Sequence, residues 1–181
     1  MAGNLAQVDT FTVTSNISSV TLGGGSSSTS GIDFAINTDD VYMVACSGIY
    51  FSDNDDMRIR FTVSGSADTS SNYSYAHKAM YHDAGFGNTG TTQSYLDTNQ
   101  STGTSGTHSI NLIMYLYNFN SSSLYSFVQY ENIHRNTSQN RLGNFAGGGV
   151  LKESQTTDGI YFYLNSGNNF ANGTFTLYKV V

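Results

Sequence analysis

Arg58-Ile59-Arg60-Phe61-Thr62-Val63 is the stretch that decides the fold class. Successive side chains of an extended strand point to opposite faces, so Ile59, Phe61 and Val63 share one face and Arg58, Arg60 and Thr62 the other. One face is suited to a core, and the other carries positive charge toward solvent or a partner. Ile110-Asn111-Leu112-Ile113-Met114-Tyr115-Leu116-Tyr117 is more continuously apolar and is expected in the middle of a sheet. Working outward, strands are expected at residues 11–13, 17–22, 32–36, 41–51, 57–63, 73–81, 109–117, 123–131, 149–152, 159–164 and 174–180. Gly/Ser/Asn/Asp clusters separate them, and Gly23-Gly24-Gly25-Ser26-Ser27-Ser28 reads as an exposed, flexible loop. Apolar residues nowhere hold a 3.6-residue period for long, so very little helix is expected. The pattern predicts an all-β fold: a single antiparallel β-sandwich, jelly-roll-like, in one domain over residues 1–181.

The composition narrows the function. Only 11% of the residues are charged, against about 25% in an average protein, so Ser, Thr, Asn, Gln and Gly must make the surface. Aromatic residues at 13% argue for a packed core and against disorder. Neutral polar faces are cheaper to bury than charged ones, which favours a protein whose faces end against neighbours. Proline is absent, and with it one guard of sheet edges, so edges covered by neighbouring subunits are expected. The single cysteine, Cys46, lies in the apolar run Val41-Tyr42-Met43-Val44-Ala45-Cys46 and reads as a buried small hydrophobe. Net charge is −6, and Arg58 and Arg60 alone do not make a phosphate-tracking stripe, so direct nucleic-acid binding is not expected. With no apolar stretch near 18 residues and no secretory signal pattern at Met1, neither membrane association nor export is expected.

Candidate chemistry is sparse. Asp53, Asp55 and Asp56 place carboxylates as in the first half of a calcium loop, but Met57 follows and neither the central glycine nor the later glutamate appears. A polar joint between strands is the first reading and a weak calcium loop the alternative. His77, His82, His108 and His134 lack metal-ligand spacing, so no metal is expected. Neither a Gly-x-Ser-x-Gly turn nor a phosphate-binding glycine loop occurs, and the Gly147–Gly149 run reads as a loop or a close backbone approach. No catalytic residues, cofactor or enzyme activity are expected. Between Asn72 and His82 the chain is rich in aromatic and amide groups. Tyrosines packed on neighbouring strands explain it, and Tyr73, Tyr75, His77, Tyr81 and His82 are also the candidate contacts to a partner or a glycan.

Three segments carry a resemblance to a known family: Gly31-Ile32-Asp33-Phe34; Asp56 to Gly65 leading to Asn72-Tyr73-Ser74-Tyr75; and Ser166-Gly167-Asn168-Asn169-Phe170-Ala171-Asn172-Gly173-Thr174-Phe175-Thr176-Leu177-Tyr178. In that order they resemble the Gly/Ser/Asn-rich β-sandwich virion structural proteins of marine tailed phages, cyanophage-like, over nearly the whole chain. Lys179-Val180 departs from the Gly-Ile that the family usually places after Leu-Tyr. The resemblance implies a virion structural protein, assembled in the host bacterial cytoplasm. It implies a capsid decoration or cement subunit that clamps the shell through non-covalent contacts. The expected partners are the major capsid protein, or tail proteins in the alternative, and further copies of the chain in a homo-oligomer, with a trimer as the expected form. The alternative is a tail- or fibre-associated adhesin module that binds host surface glycans.

Overall fold

Val20 and Leu22, Ile59 and Phe61, and Ile160 and Phe162 all turn to the same side of three adjacent strands and are fully buried. They form one wall of the core. The computed structural model describes residues 4–83, 85–98, 103–136 and 141–181. Among these the strands are β1 (Leu5–Val13), β2 (Ser19–Gly23), β3 (Tyr42–Phe51), β4 (Met57–Val63), β5 (Ser66–Ala67), β6 (Tyr73–Tyr81), β7 (Gly85–Gln93), β8 (Leu96–Asp97), β9 (Ile110–Tyr117), β10 (Tyr125–Asn136), β11 (Arg141–Ser154), β12 (Gly159–Leu164) and β13 (Phe170–Val180). A single 3-10 turn, Gly106–His108, is the helical element among them.

Two antiparallel sheets result. The large one runs β1-β13-β3-β9-β10-β11-β6-β7, and the small one β2-β12-β4-β5, with β8 also paired to β4. Taken alone, β1-β13-β3-β9 against β2-β12-β4-β8 is the strand order of a jelly roll, the chain switching sheets as it proceeds. The remaining strands are two insertions, β5–β7 before β8 and β10–β11 after β9. They meet when β11 pairs with β6 from Gly143↔Tyr81 to Leu151↔Tyr73. That pairing widens the large sheet beyond its jelly-roll half.

Aromatic rings lock the sandwich. Phe162 from the small sheet meets Phe175 from the large one at 5.2 Å between ring centroids, and Phe170 and Phe51 continue the stack at 5.3 and 5.7 Å. Each ring is fully buried and contributes hydrophobic burial plus edge-to-face attraction. Cys46 is buried among them, where desolvation pushes its thiol up from the usual range.

The all-β sandwich is as expected, but several segments differ. Residues 32–36 are not a strand. Phe34 makes one bridge to Gly25, and the Ile36 N–H is taken by the Asp158 carbonyl at 2.8 Å, so the backbone groups serve loop contacts instead of a ladder. Gly23–Gly25 is not an exposed flexible loop either. Gly23 and Gly24 are buried at φ +69° and +75°. The fully buried Asp9 carboxylate accepts from the Gly23 N–H at 2.9 Å, Ser28 Oγ at 2.6 Å and Ser30 Oγ at 2.5 Å. The strand expected at 149–152 is the end of a fourteen-residue strand, β11. Gly147 sits in its middle because a Cβ there would come within 2.4 Å of the Ala76 carbonyl oxygen and of His77 Cβ on β6.

That contact gives a test of the β11–β6 seam. Gly147→Ala is expected to lower stability by about 1–3 kcal/mol through overpacking. Gly106→Ala, with nothing within 4 Å of the added Cβ, serves as the control and should shift stability by no more than about 0.5 kcal/mol. Urea midpoints at unchanged slope check both, and equal midpoints would show that the seam has slack.

Candidate interaction surface

Strand alternation fixes which residues can meet a partner. On the large sheet, the register sets Met43, Tyr115, Gln129, Gly148 and Ala76 in one outward row across five strands. Ala45, Ile113, Glu131, Ala146 and Lys78 make the next row. Ile133 is flanked by Asn111 and Asn144, and Phe127 by Tyr117 and Val150, in the rows to either side. Scattered exposed apolar residues are normal. Here, of the eleven exposed large hydrophobic residues described, seven lie on this one face: Met80, Ile113, Tyr115, Tyr125, Phe127, Ile133 and Leu142. Ile113 is 52% and Phe127 42% exposed.

The face is also concave. Small residues Ala45, Ala146 and Gly147 form a floor, and Ile113, Tyr115, Gln129 and Ile133 stand around it, enclosing a groove of about 990 Å³. Tyr115 and Tyr117 stack at 6.4 Å along β9, which fixes one wall. Such a groove can receive apolar side chains. The chemistry it offers is burial with a few amide hydrogen bonds, from Gln129 and Asn144.

The residues singled out from sequence lie elsewhere. Tyr73, Tyr75 and His77 face inward on β6 and are buried, with Tyr73 fully so. This corrects their assignment as glycan or partner contacts: the inward side of β6 is core, and Tyr73 uses its hydroxyl as acceptor for the Phe61 N–H at 3.0 Å. Desolvation pushes the Tyr75 hydroxyl up to about 12. Tyr81 is half-buried and His82 exposed, at the end of β6. The candidate calcium loop is also a structural joint. Asp55 is buried, and its carboxylate accepts from the Ser166 N–H at 3.0 and 3.1 Å and from Asn168 Nδ2 at 3.1 Å. Asp53 caps the Asn54 N–H at 2.7 Å, and Asp56 follows in the same turn, its N–H donating to Asp55 Oδ1 at 2.7 Å. The apolar face was not singled out from sequence. Its one signal was the length of apolar run in β9, where both faces carry apolar side chains.

Behind the face, the interior of the widened sheet is polar. Tyr130 donates to the Asp97 carbonyl at 2.7 Å, so His77 Nδ1 must donate to the Tyr130 oxygen at 2.9 Å. Asn132 donates through Nδ2 to the Thr98 carbonyl and accepts from His134 Nδ1 at 3.1 Å. Both histidines therefore carry their proton on Nδ1, and Nε2 of each is buried with no hydrogen-bond partner among the described residues. Burial lowers His77 and takes His134 down to about 4, while it raises the Asp97 carboxyl to about 7. No protein-family description matches the chain, and no curated protein matches it.

The histidines make stability depend on pH. His134 stays neutral in the fold down to about pH 4, whereas the unfolded chain protonates near 6.5. Its contribution is complete above 6.5 and is lost as pH falls from 6.5 to 4, while Asp97, raised in the fold, acts with the opposite sign below 7. Replacing His134 by Gln removes the first effect. Between pH 7 and 4 the stability of the variant relative to wild type should improve by about 2–3 kcal/mol, read from denaturation midpoints. A pH-independent difference would mean that His134 titrates in the fold as it does in the unfolded chain.

Proposed function

We propose that this chain is a non-enzymatic structural subunit of a bacteriophage particle, a decoration or cement protein that covers the outward face of its large sheet with a second copy of itself. The observation that carries this is the gathering, among the described residues, of seven of eleven exposed large hydrophobic residues on that single face. Five strands about 4.8 Å apart and about eight residues long present roughly 600 Å² of it, close to the roughly 800 Å² per partner of a standard interface. A patch of this size on a protein with so little surface charge favours association.

The sheet edges support the same reading. β7, Gly85-Phe-Gly-Asn-Thr-Gly-Thr-Thr-Gln93, ends the large sheet on one side and β1, Leu5-Ala-Gln-Val-Asp-Thr-Phe-Thr-Val13, on the other. Neither carries proline or lysine, the residues that usually blunt an open edge. Repetition explains how such a subunit would act on a shell. Many copies, each with a modest interface, hold together because every contact formed raises the effective concentration of the next, and closed symmetry matches the subunit to a lattice. The resemblance to phage virion proteins supplies the setting, with the major capsid protein as the partner beneath.

Replacing Ile113 and Phe127 by lysine together should convert an oligomer into a monomer, with association weakened by at least about 100-fold in affinity, measured by light scattering of the eluting peak. A monomeric wild type at high micromolar concentration would overturn the self-association. In purified particles, roughly one copy per one to three shell subunits is expected of a decoration protein. An abundance near one per hundred would move the chain from the shell to the tail.

A further inference from the structure

We infer that the outward face of the small sheet is a binding site for an acidic saccharide, a short sugar chain bearing carboxylates. Arg58 and Arg60 project from β4 on the side away from the core, about 7 Å apart along the strand. Across the ladder, Arg58 pairs with Tyr163 and Arg60 with Tyr161. The Arg58 guanidinium lies 3.7 Å from the Tyr95 ring centroid, and that of Arg60 4.5 Å from the Tyr163 ring centroid. Tyr161 and Tyr163 stand 5.6 Å apart at 30°. The patch is thus a set of tyrosine rings with two guanidinium planes laid among them.

This arrangement holds the cations in fixed orientation. Arg60 Nε is further tied to the Ser94 carbonyl at 2.7 Å. The ion pairs found among the described residues are Arg141–Asp83 and Lys179–Asp40, so neither Arg58 nor Arg60 has a carboxylate at contact distance. All five side chains, Arg58, Arg60, Tyr95, Tyr161 and Tyr163, are half-exposed. Asp97 faces Arg58 across the β4–β8 ladder without reaching ion-pair distance. On a protein of net charge −6, two oriented guanidinium groups thus remain without a carboxylate in contact, which is what a carboxylate-bearing ligand requires, since the planar fork matches the carboxylate in geometry and charge. The tyrosine hydroxyls beside them, with the Ser19 hydroxyl on β2, can satisfy sugar hydroxyls. The same net charge turns away a long polyanion such as nucleic acid, which would need many cations and not two. The site lies on the sheet opposite the apolar face, so it does not depend on the assembly role.

Trigalacturonic acid and its methyl ester, equal in size but neutral, are the probes, titrated into the whole chain by calorimetry at low and high salt. The acid is expected to bind in the range of about 0.1–1 mM, at least about tenfold more tightly than the ester, and more weakly at high salt. Arg58→Gln with Arg60→Gln should abolish the preference, with Arg60→Lys, which keeps the charge but not the planar fork, losing part of it. Should the double variant fail to fold, chemical-shift changes in the wild type decide the question. Shifts must centre on β4 and β12 with the acid and be absent with the ester. Equal binding of acid and ester, no saturable binding by about 10 mM, or shifts centred on the large sheet would each overturn the inference. The Ile113→Lys, Phe127→Lys variant should bind the acid as wild type does.

Discussion

The pairing of β11 with β6 is the constraint on which the rest of this molecule depends. A jelly roll needs neither strand, since β1-β13-β3-β9 and β2-β12-β4-β8 already close its two sheets. By joining two insertions, the seam doubles the width of the large sheet and creates an outward face that the jelly-roll half would lack. The small sheet cannot cover all of the added inner surface. The interior there is closed by the short segment around β8, through the Asp97 and Thr98 carbonyls that receive Tyr130 and Asn132. A polar lining follows from that geometry, because the backbone groups of such a segment need partners.

Much of this was legible in the sequence. The alternation in Arg58–Val63 holds for Ile59 and Phe61 in the core and for Arg58 and Arg60 outside it, whereas Thr62 is fully buried under Asp158 and Val63 only half-buried; β9, β12 and β13 follow their apolar runs. What escaped were elements that need a partner to make sense. Gly85–Gln93 has no apolar alternation, and it is a strand because β6 offers it a ladder from Tyr73↔Gln93 to Met80↔Gly85. The glycines of β11 read as a loop or a close backbone approach; the second holds, since β6 comes too close for a side chain, but the run is strand and not loop. Residues 32–36 alternate well, yet their backbone is drawn to Gly25 and Asp158. The tyrosines of β6 were correctly seen as strand residues, but alternation alone could not say that Tyr73, Tyr75 and His77 face inward.

The acids show a similar division. Asp9, Asp55 and Asp158 are far apart in sequence, and each ties loops from separate parts of the chain: Asp158 takes Thr62 Oγ1 at 2.6 Å and the Gly65 N–H at 2.9 Å. Of these only Asp55 was read from the sequence as part of a weak calcium loop, and the Ser166 N–H and the Asn168 amide supply what its carboxylate needs. The two outer faces of the sandwich then differ in kind. One is broad and apolar, with a groove that can receive side chains of a protein partner. The other is narrow and presents charge on aromatic planes, suited to a small anionic group. A subunit fixed through the first would leave the second turned outward.

Hydroxyl-radical footprinting across a dilution series tests the central claim most directly, because it reads individual rings without any substitution. If the outward face of the large sheet is covered by another copy, Tyr115 and Phe127 should be protected at micromolar concentration and become reactive on dilution, while Tyr161 on the small sheet reacts equally throughout. Concentration-independent labelling of Tyr115 and Phe127, at the level their exposure predicts, would contradict the account.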